Sequence, residues 1–357
     1  MTSKERMLRA LAGKPADVMP VGAHAWGLYK FQLAGLIGGY EDEGKAWAMG
    51  GSALAAVEEK YYETFKPDFF HLSEGRCVYP KDKMRAPEYR ELMAEARRLE
   101  SKKAIDTFAE ECYPDASEYM KEGLRFGHVR LLSEKYGDDV FIALHNATPV
   151  NDFFDEQGFM GGFQDAMIAA LEKTEMVEYF LYRTFERHLG YSRALKAFGA
   201  HAHINSESYV SADLVSPKLY ERILFGPQKL YYKGIRDAGL SPIMCFWGNI
   251  GPLVDWFREL DIDGLMVEES RKGYILDIAR IKARMDGRAA VFGNLPGETT
   301  LLRGTPDGVA AGTREMIDGL GSKEGFVMCC GSPLAFGTPR ENIEAMFGAA
   351  REYRGGE

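Results

Sequence analysis

No window of about 18 apolar residues occurs in this 357-residue chain, so it offers no membrane-spanning helix. No basic stretch is long enough to follow a phosphate backbone, and the net charge is −9. Both features argue against nucleic acid and against an anionic membrane surface as partners. The opening segment MTSKERMLRALAGK is charged and lacks the apolar centre of a secretory signal. Cysteine is scarce. Cys77, Cys112, Cys245, Cys329 and Cys330 are odd in number and two are adjacent. That is a poor disulfide framework, and it predicts reduced thiols in a soluble, cytoplasmic protein. A glycine-rich phosphate turn is missing after the first apolar run, which reads VGAHAWG; this weighs against an open, doubly wound sheet. There is no linker, low-complexity segment or internal repeat.

What is present is a large apolar content, 46%, arranged as short runs between longer helical patterns. Thr2 to Glu5 reads as a capping box ahead of Met7, Leu8 and Leu11. The apolar runs are VMPVGAHAW, PDFFHLSEG, DVFIALHNA, AHINSES, SPIMCFWGN, DGLMVEES, AAVFGNLPG and GFVMCCGSP. Helical stretches separate them, including 164–198 and a helix opening at Ser216-Pro217. The last begins at Thr338-Pro339, with threonine as N-cap. Eight strand candidates alternating with helices predict an α/β fold, a single (β/α)8 TIM barrel over residues 1–357. Residues 75–138 are long for one βα unit and are expected to carry inserted helices over the barrel mouth.

Barrel sites are built where strands end. Here the runs end on His24 and Trp26; on His71 and Glu74; on His145 and Asn146; and on His203, Asn205 and Glu207. The later ones end on Cys245, Trp247 and Asn249; on Glu268 and Glu269; on Asn294; and on Cys329 and Cys330. Four of the seven histidines fall at these ends. A carboxylate directly after an apolar run is costly to bury without a partner, which singles out Glu74 and Glu207. Trp26 and Trp247 read either as rim packing or as walls for a flat ligand.

Several segments carry a family likeness: RMLRALAGKPADVMPV, SEKYGDDV, LVSPKLYERILFGPQK, GNLPGETTLLRGTPDGV and GSPLAFGTPRENIEAM. Along nearly its whole length the chain resembles the uroporphyrinogen decarboxylase superfamily. The resemblance implies the same (β/α)8 fold. The superfamily holds true decarboxylases and also methyltransferases that work with corrinoid proteins. The decarboxylases carry an arginine-rich segment after the first strand. This chain has HAWGLY there, with His24 and Leu28 in place of two arginines, while Glu74 falls near the catalytic aspartate. The methyltransferases hold zinc with a His-x-Cys pair after the fifth strand and a cysteine after the eighth. By position Cys245 replaces the histidine, Trp247 the first cysteine, and Cys330 keeps the second.

The resemblance therefore implies a corrinoid-dependent methyltransferase of the O-demethylase type. It would move a methyl group from a small donor, a methoxylated aromatic, to the cobalt of a separate corrinoid protein. Glu74, His71, His145 and Glu207 are the expected catalytic residues. His24, Trp26, Tyr29, Asn146, Tyr209, Trp247, Asn249 and Asn294 are expected to bind substrate, and Cys245, Cys330 and Glu207 to offer a zinc site. Strand alternation is expected to aim Cys330 at the site and Cys329 at the helices. Two other readings stay open, a decarboxylase of a small carboxylic acid and a barrel that only binds a corrinoid or tetrapyrrole. A homodimer also stays open.

Overall fold

The computed structural model describes residues 1–25, 27–74, 86–121 and 123–354. Trp26, an expected substrate wall, lies outside the described residues, as does Cys77. Seven strands form one parallel sheet in chain order. They are β1 (Phe69–Ser73), β2 (Phe141–Ala147), β3 (Ala202–Glu207), β4 (Ser241–Phe246), β5 (Gly264–Val267), β6 (Ala290–Phe292) and β7 (Phe326–Val327). These are the second to eighth apolar runs of the sequence.

The first run does not form a regular strand. Its Val21 makes an isolated parallel bridge with Met328. Met328 N donates to Pro20 O at 2.9 Å, Gly22 N to Met328 O at 3.0 Å, and Asp68 N to Val21 O at 2.9 Å. Residues 20–22 thus bond to the last strand on one side and to the approach of the first on the other, closing a (β/α)8 barrel. Pro20 has no N–H to extend the ladder. Gly22 passes so close to the Phe69 ring that an added Cβ would lie 2.2 Å from a ring carbon.

Alternation along each strand sends one set of side chains inward. Phe69, Phe141, Ala143, Ala202, Ile204, Ile243, Cys245, Met266, Phe292, Val327 and Cys329 fill the barrel interior. The first helix, Ser3–Leu11, has the expected capping box of Thr2 and Glu5. It adds Met7 and Ala10 to that interior cluster and so seals the N-terminal end. Arg6 on this helix pairs with buried Asp68, which also accepts from Val21 N at 2.8 Å. The plug and the closing segment therefore share one carboxylate.

The other strand faces meet a helix layer dominated by Thr174–Ala197. Between β1 and β2 the described residues include helices Arg90–Arg97, Lys102–Cys112, Ala116–Lys121 and Gly123–Tyr136. The Ser216 cap is present, its hydroxyl accepting from Leu219 N. The last helix runs Arg340–Arg351 with Pro339 at the N-cap. Thr338, expected there, instead donates its hydroxyl to Ala335 O at 2.9 Å. Among the described residues no helix is long and apolar enough to cross a membrane.

Candidate functional site

Polar side chains take over from the apolar interior at the C-terminal ends of the strands. His71 on β1, His145 on β2 and Ser206 on β3 continue the inward series of Phe69, Ala143 and Ile204. His24 joins them from the closing segment. His71 Nε2 and His145 Nδ1 lie 2.9 Å apart in a hydrogen bond, with nearly parallel rings. The His24 ring stands 4.9 Å from that of His71 and 5.6 Å from that of His145. One nitrogen from each of the three histidines can be chosen so that all lie within 4.8 Å of one another. Among the described residues this is the one such trio of histidine, cysteine or acidic groups.

All three histidines are buried. Burial holds His24 and His71 well below the ordinary imidazole range and brings His145 down to about 4. Mutual repulsion adds to this for His24 and His71. At neutral pH the cluster is three neutral rings, and among the described residues His24 Nε2 has no hydrogen-bond partner.

Above the cluster stands Trp247, whose ring is 5.2 Å from that of His24 and whose Nε1 donates to Ser206 Oγ at 2.7 Å. A cavity of about 230 Å³ is lined by Ser73, Glu74, His145, Asn146, Ala147, Ser206 and Trp247. Glu74 accepts from the Tyr191 hydroxyl at 3.0 Å. A larger cavity of about 490 Å³ includes Lys14, Pro15, Asp318 and Lys323 in its wall. It opens at the N-terminal end of the barrel, where the fold places no catalytic loops.

A buried ion pair supports the floor. Lys30 Nζ lies 2.5 Å from Glu58 Oε2 and donates to the His71 carbonyl at 2.8 Å. On the opposite side of the mouth, Arg271 pairs with Glu268 and Glu269 and donates to Ser332 Oγ. Arg271 is therefore already neutralised by two carboxylates, and no cationic side chain lines the smaller cavity among the described residues.

Residues 156–353 match the uroporphyrinogen decarboxylase (URO-D) family. The chain belongs to that family. It is 25% identical over 370 residues to the methylcobamide:CoM methyltransferase MtaA of Methanosarcina barkeri, covering 99% of this chain and 98% of the relative. To MtbA of Methanosarcina mazei, also a methylcobamide:CoM methyltransferase, it is 22% identical over 362 residues, again covering 99% and 98%. A solved methyltransferase from Methanosarcina mazei superposes with a TM-score of 0.75 at 21% identity, covering 99% of each chain, which shows a shared fold.

In this URO-D family barrel the structure places His24, His71, His145, Glu74 and Trp247 near one another at the strand ends. Glu207 does not join them. It points outward, where Thr148 and Tyr232 hydroxyls donate to it at 3.1 and 3.2 Å. Its inward neighbour Ser206 takes the place at the cavity. The expected zinc set of Cys245, Cys330 and Glu207 is not assembled. Cys245 lies in the barrel interior, while Cys330 packs on the helix side with its Sγ accepting from His24 N at 3.2 Å. Cys329, not Cys330, faces inward, the reverse of the expected alternation. Burial pushes the Cys245 and Cys329 thiols up, away from thiolate. These residues do not fit a zinc ion.

Four expected substrate residues are held elsewhere. Tyr29 packs against Tyr61 and Phe65 on the outer side. Tyr209 donates to Asp155. Asn249 accepts from Gly251 N, holding its own turn. Asn294 donates to the carbonyls of Glu268 and Leu276. Asn146 borders the cavity, yet its amide lies in an outer network with His203 at 2.7 Å and His188 at 3.1 Å. Sequence reading missed Ser206, Tyr191, Arg271 and the Lys30–Glu58 pair. Only Ser206 had a local signal, its period-2 spacing from Ile204.

Glu207 carries a pH prediction. Burial raises its carboxyl from 4.5 to about 7, and the hydrogen bonds from Thr148 and Tyr232 offset only part of this. The folded chain thus holds this proton more tightly than the unfolded chain. The contribution is most favourable below about pH 4.5 and is lost as pH rises to about 7, by roughly 3 kcal/mol. Glu207→Gln is expected to flatten that slope in urea unfolding measured from pH 4.5 to 8. A wild-type-minus-variant difference that stays constant with pH would reject it.

Proposed function

We propose that this chain is a corrinoid-dependent methyltransferase that moves a methyl group from a small methylated compound, a methoxylated aromatic, to the cobalt of a separate corrinoid protein. The observation that carries the reading is the smaller cavity, with an indole wall, one carboxylate and no cation among its described lining. A family member that decarboxylates a polyacid needs counter-charges for its substrate. A neutral, flat methoxylated ring needs a π wall and a proton source. Similarity to two methylcobamide:CoM methyltransferases over 99% of the chain supports the corrinoid part.

In this reading Trp247 stacks on the ring, and Ser206 fixes the indole. The Co(I) of the corrinoid protein, as co-substrate, would supply the electron pair for the new bond to the methyl carbon and become methyl-Co(III) as the carbon–oxygen bond breaks, and the departing phenolate oxygen needs a proton. Glu74, oriented by Tyr191, passes that proton. Reduced, buried Cys112, Cys245, Cys329 and Cys330 fit a cytoplasmic setting.

The test follows the visible spectrum of cob(I)alamin with methoxylated aromatics as donors. Conversion to methylcob(III)alamin with release of the phenol is the expected outcome. The relatives favour a second reading, transfer from methylcobalamin to coenzyme M, which the same spectrum reports in reverse. Carbon dioxide release from a carboxylic acid, without corrinoid, would overturn both.

A further inference from the structure

The barrel carries a donor set that the thiol pattern does not account for. His24, His71 and His145 come from three separate segments, the closing run, β1 and β2, yet their ring nitrogens converge within 4.8 Å. Among the described residues His24 Nε2 is buried with no hydrogen-bond partner, and the His71 ring, apart from its bond to His145, meets only the Ala23 backbone. A buried polar atom left unsatisfied costs about 1–3 kcal/mol, so His24 Nε2 is a feature that a packing role leaves unexplained. The third ring, His145, lines the cavity. The cluster is therefore enclosed on the barrel side and open on the substrate side.

We propose that His24, His71 and His145 bind one divalent transition-metal ion of the zinc class, with a fourth position open to the cavity. Imidazole is the donor that suits such ions, and three protein ligands plus one open position is the arrangement of catalytic rather than structural sites. Zn–N bonds are about 2.0–2.1 Å, so binding draws the rings inward by side-chain rotation and replaces the His71–His145 hydrogen bond. The Lys30 Nζ bond to the His71 carbonyl holds the backbone behind one ligand. A metal there supplies Lewis acidity toward an atom of a cavity ligand. The inference does not depend on the methyl-transfer reading, because metal content is read without turnover.

The test is metal titration of the full-length protein, purified without chelator and then stripped. Cobalt(II) is expected to bind at one equivalent, to give visible bands of a low-coordinate nitrogen site, and to be displaced by zinc. His24→Ala and His71→Ala are each expected to weaken binding beyond the roughly 10–100-fold that outer-sphere changes cause. Cys245→Ala and Cys330→Ala are expected to leave it unchanged. Failure of the wild type to bind a stoichiometric ion overturns the proposal. So does an intense near-ultraviolet sulfur-to-cobalt band that disappears in a cysteine variant. If a histidine variant does not fold, the wild-type cobalt spectrum decides: absence of the thiolate band with one bound equivalent supports the site, and its presence refutes it.

Discussion

Glu58→Gln is expected to destabilise the protein by about 3–5 kcal/mol, the usual cost of breaking a buried ion pair from one side. Lys30 is 1% exposed and Glu58 7%. Removing the carboxylate charge leaves an ammonium whose partners among the described residues include the His71 carbonyl and the Tyr61 ring, 5.1 Å from Nζ. Neither supplies the lost counter-charge. The double change Lys30→Met with Glu58→Leu is expected to recover much of the loss, because no unpaired charge then remains. Recovery stays incomplete because the His71 carbonyl loses its donor. Urea unfolding of the two variants beside wild type measures both effects. A Glu58→Gln loss below about 1 kcal/mol, the scale of an exposed pair, would show that the pair is not isolated from water.

Glu74→Gln is expected to lower the rate of methyl transfer by about 10²–10⁴-fold, the range for loss of a general acid or base. Glutamine keeps the shape and can still accept from the Tyr191 hydroxyl. It cannot carry the proton. The loss should therefore appear in kcat, with KM little changed, and thermal stability should follow wild type. Tyr191→Phe should have a smaller effect, since it removes only the bond that orients Glu74. That tyrosine stacks on His188 and His203, so its ring keeps its packing role in the variant. A Glu74→Gln enzyme within about tenfold of wild type would move the proton source elsewhere.

All seven regular strands among the described residues were legible from apolar runs bounded by turn residues, and the histidines at their ends from the habit of barrels to place chemistry where strands end. Which face each residue took was less legible. Both faces of a parallel barrel strand are buried, so polarity does not mark the inward side. The series His203, Asn205, Glu207 looks like a lining, yet its partners Ser192, Asn146, Tyr231 and Tyr232 come from other segments and form the helix-side network. Counting inward from Ile204 selects Ser206. At Cys329 and Cys330 the alternation runs on past the regular strand, so Cys329 faces inward with Val327, and Leu295 of the neighbouring segment bridges Cys330. Lys30 and Glu58 gave no local signal at all. A lysine and a glutamate on separate helices read as solvated charges until packing brings them together.

The seam at residues 20–22 also orders events in time. His24 and Cys330 touch across 306 positions of chain, and Val18 bridges Arg354. A polypeptide leaving the ribosome presents His24, His71 and His145 early, but the segment that carries His24 has no sheet partner on its outer side until Met328 has been made. For most of translation the nascent barrel is an open trough with two bare edges, which is the state in which α/β chains are most exposed to wrong association. Closure of the seam behind His24 thus waits for the last steps of synthesis, although its contact with Asp68 forms between segments made early.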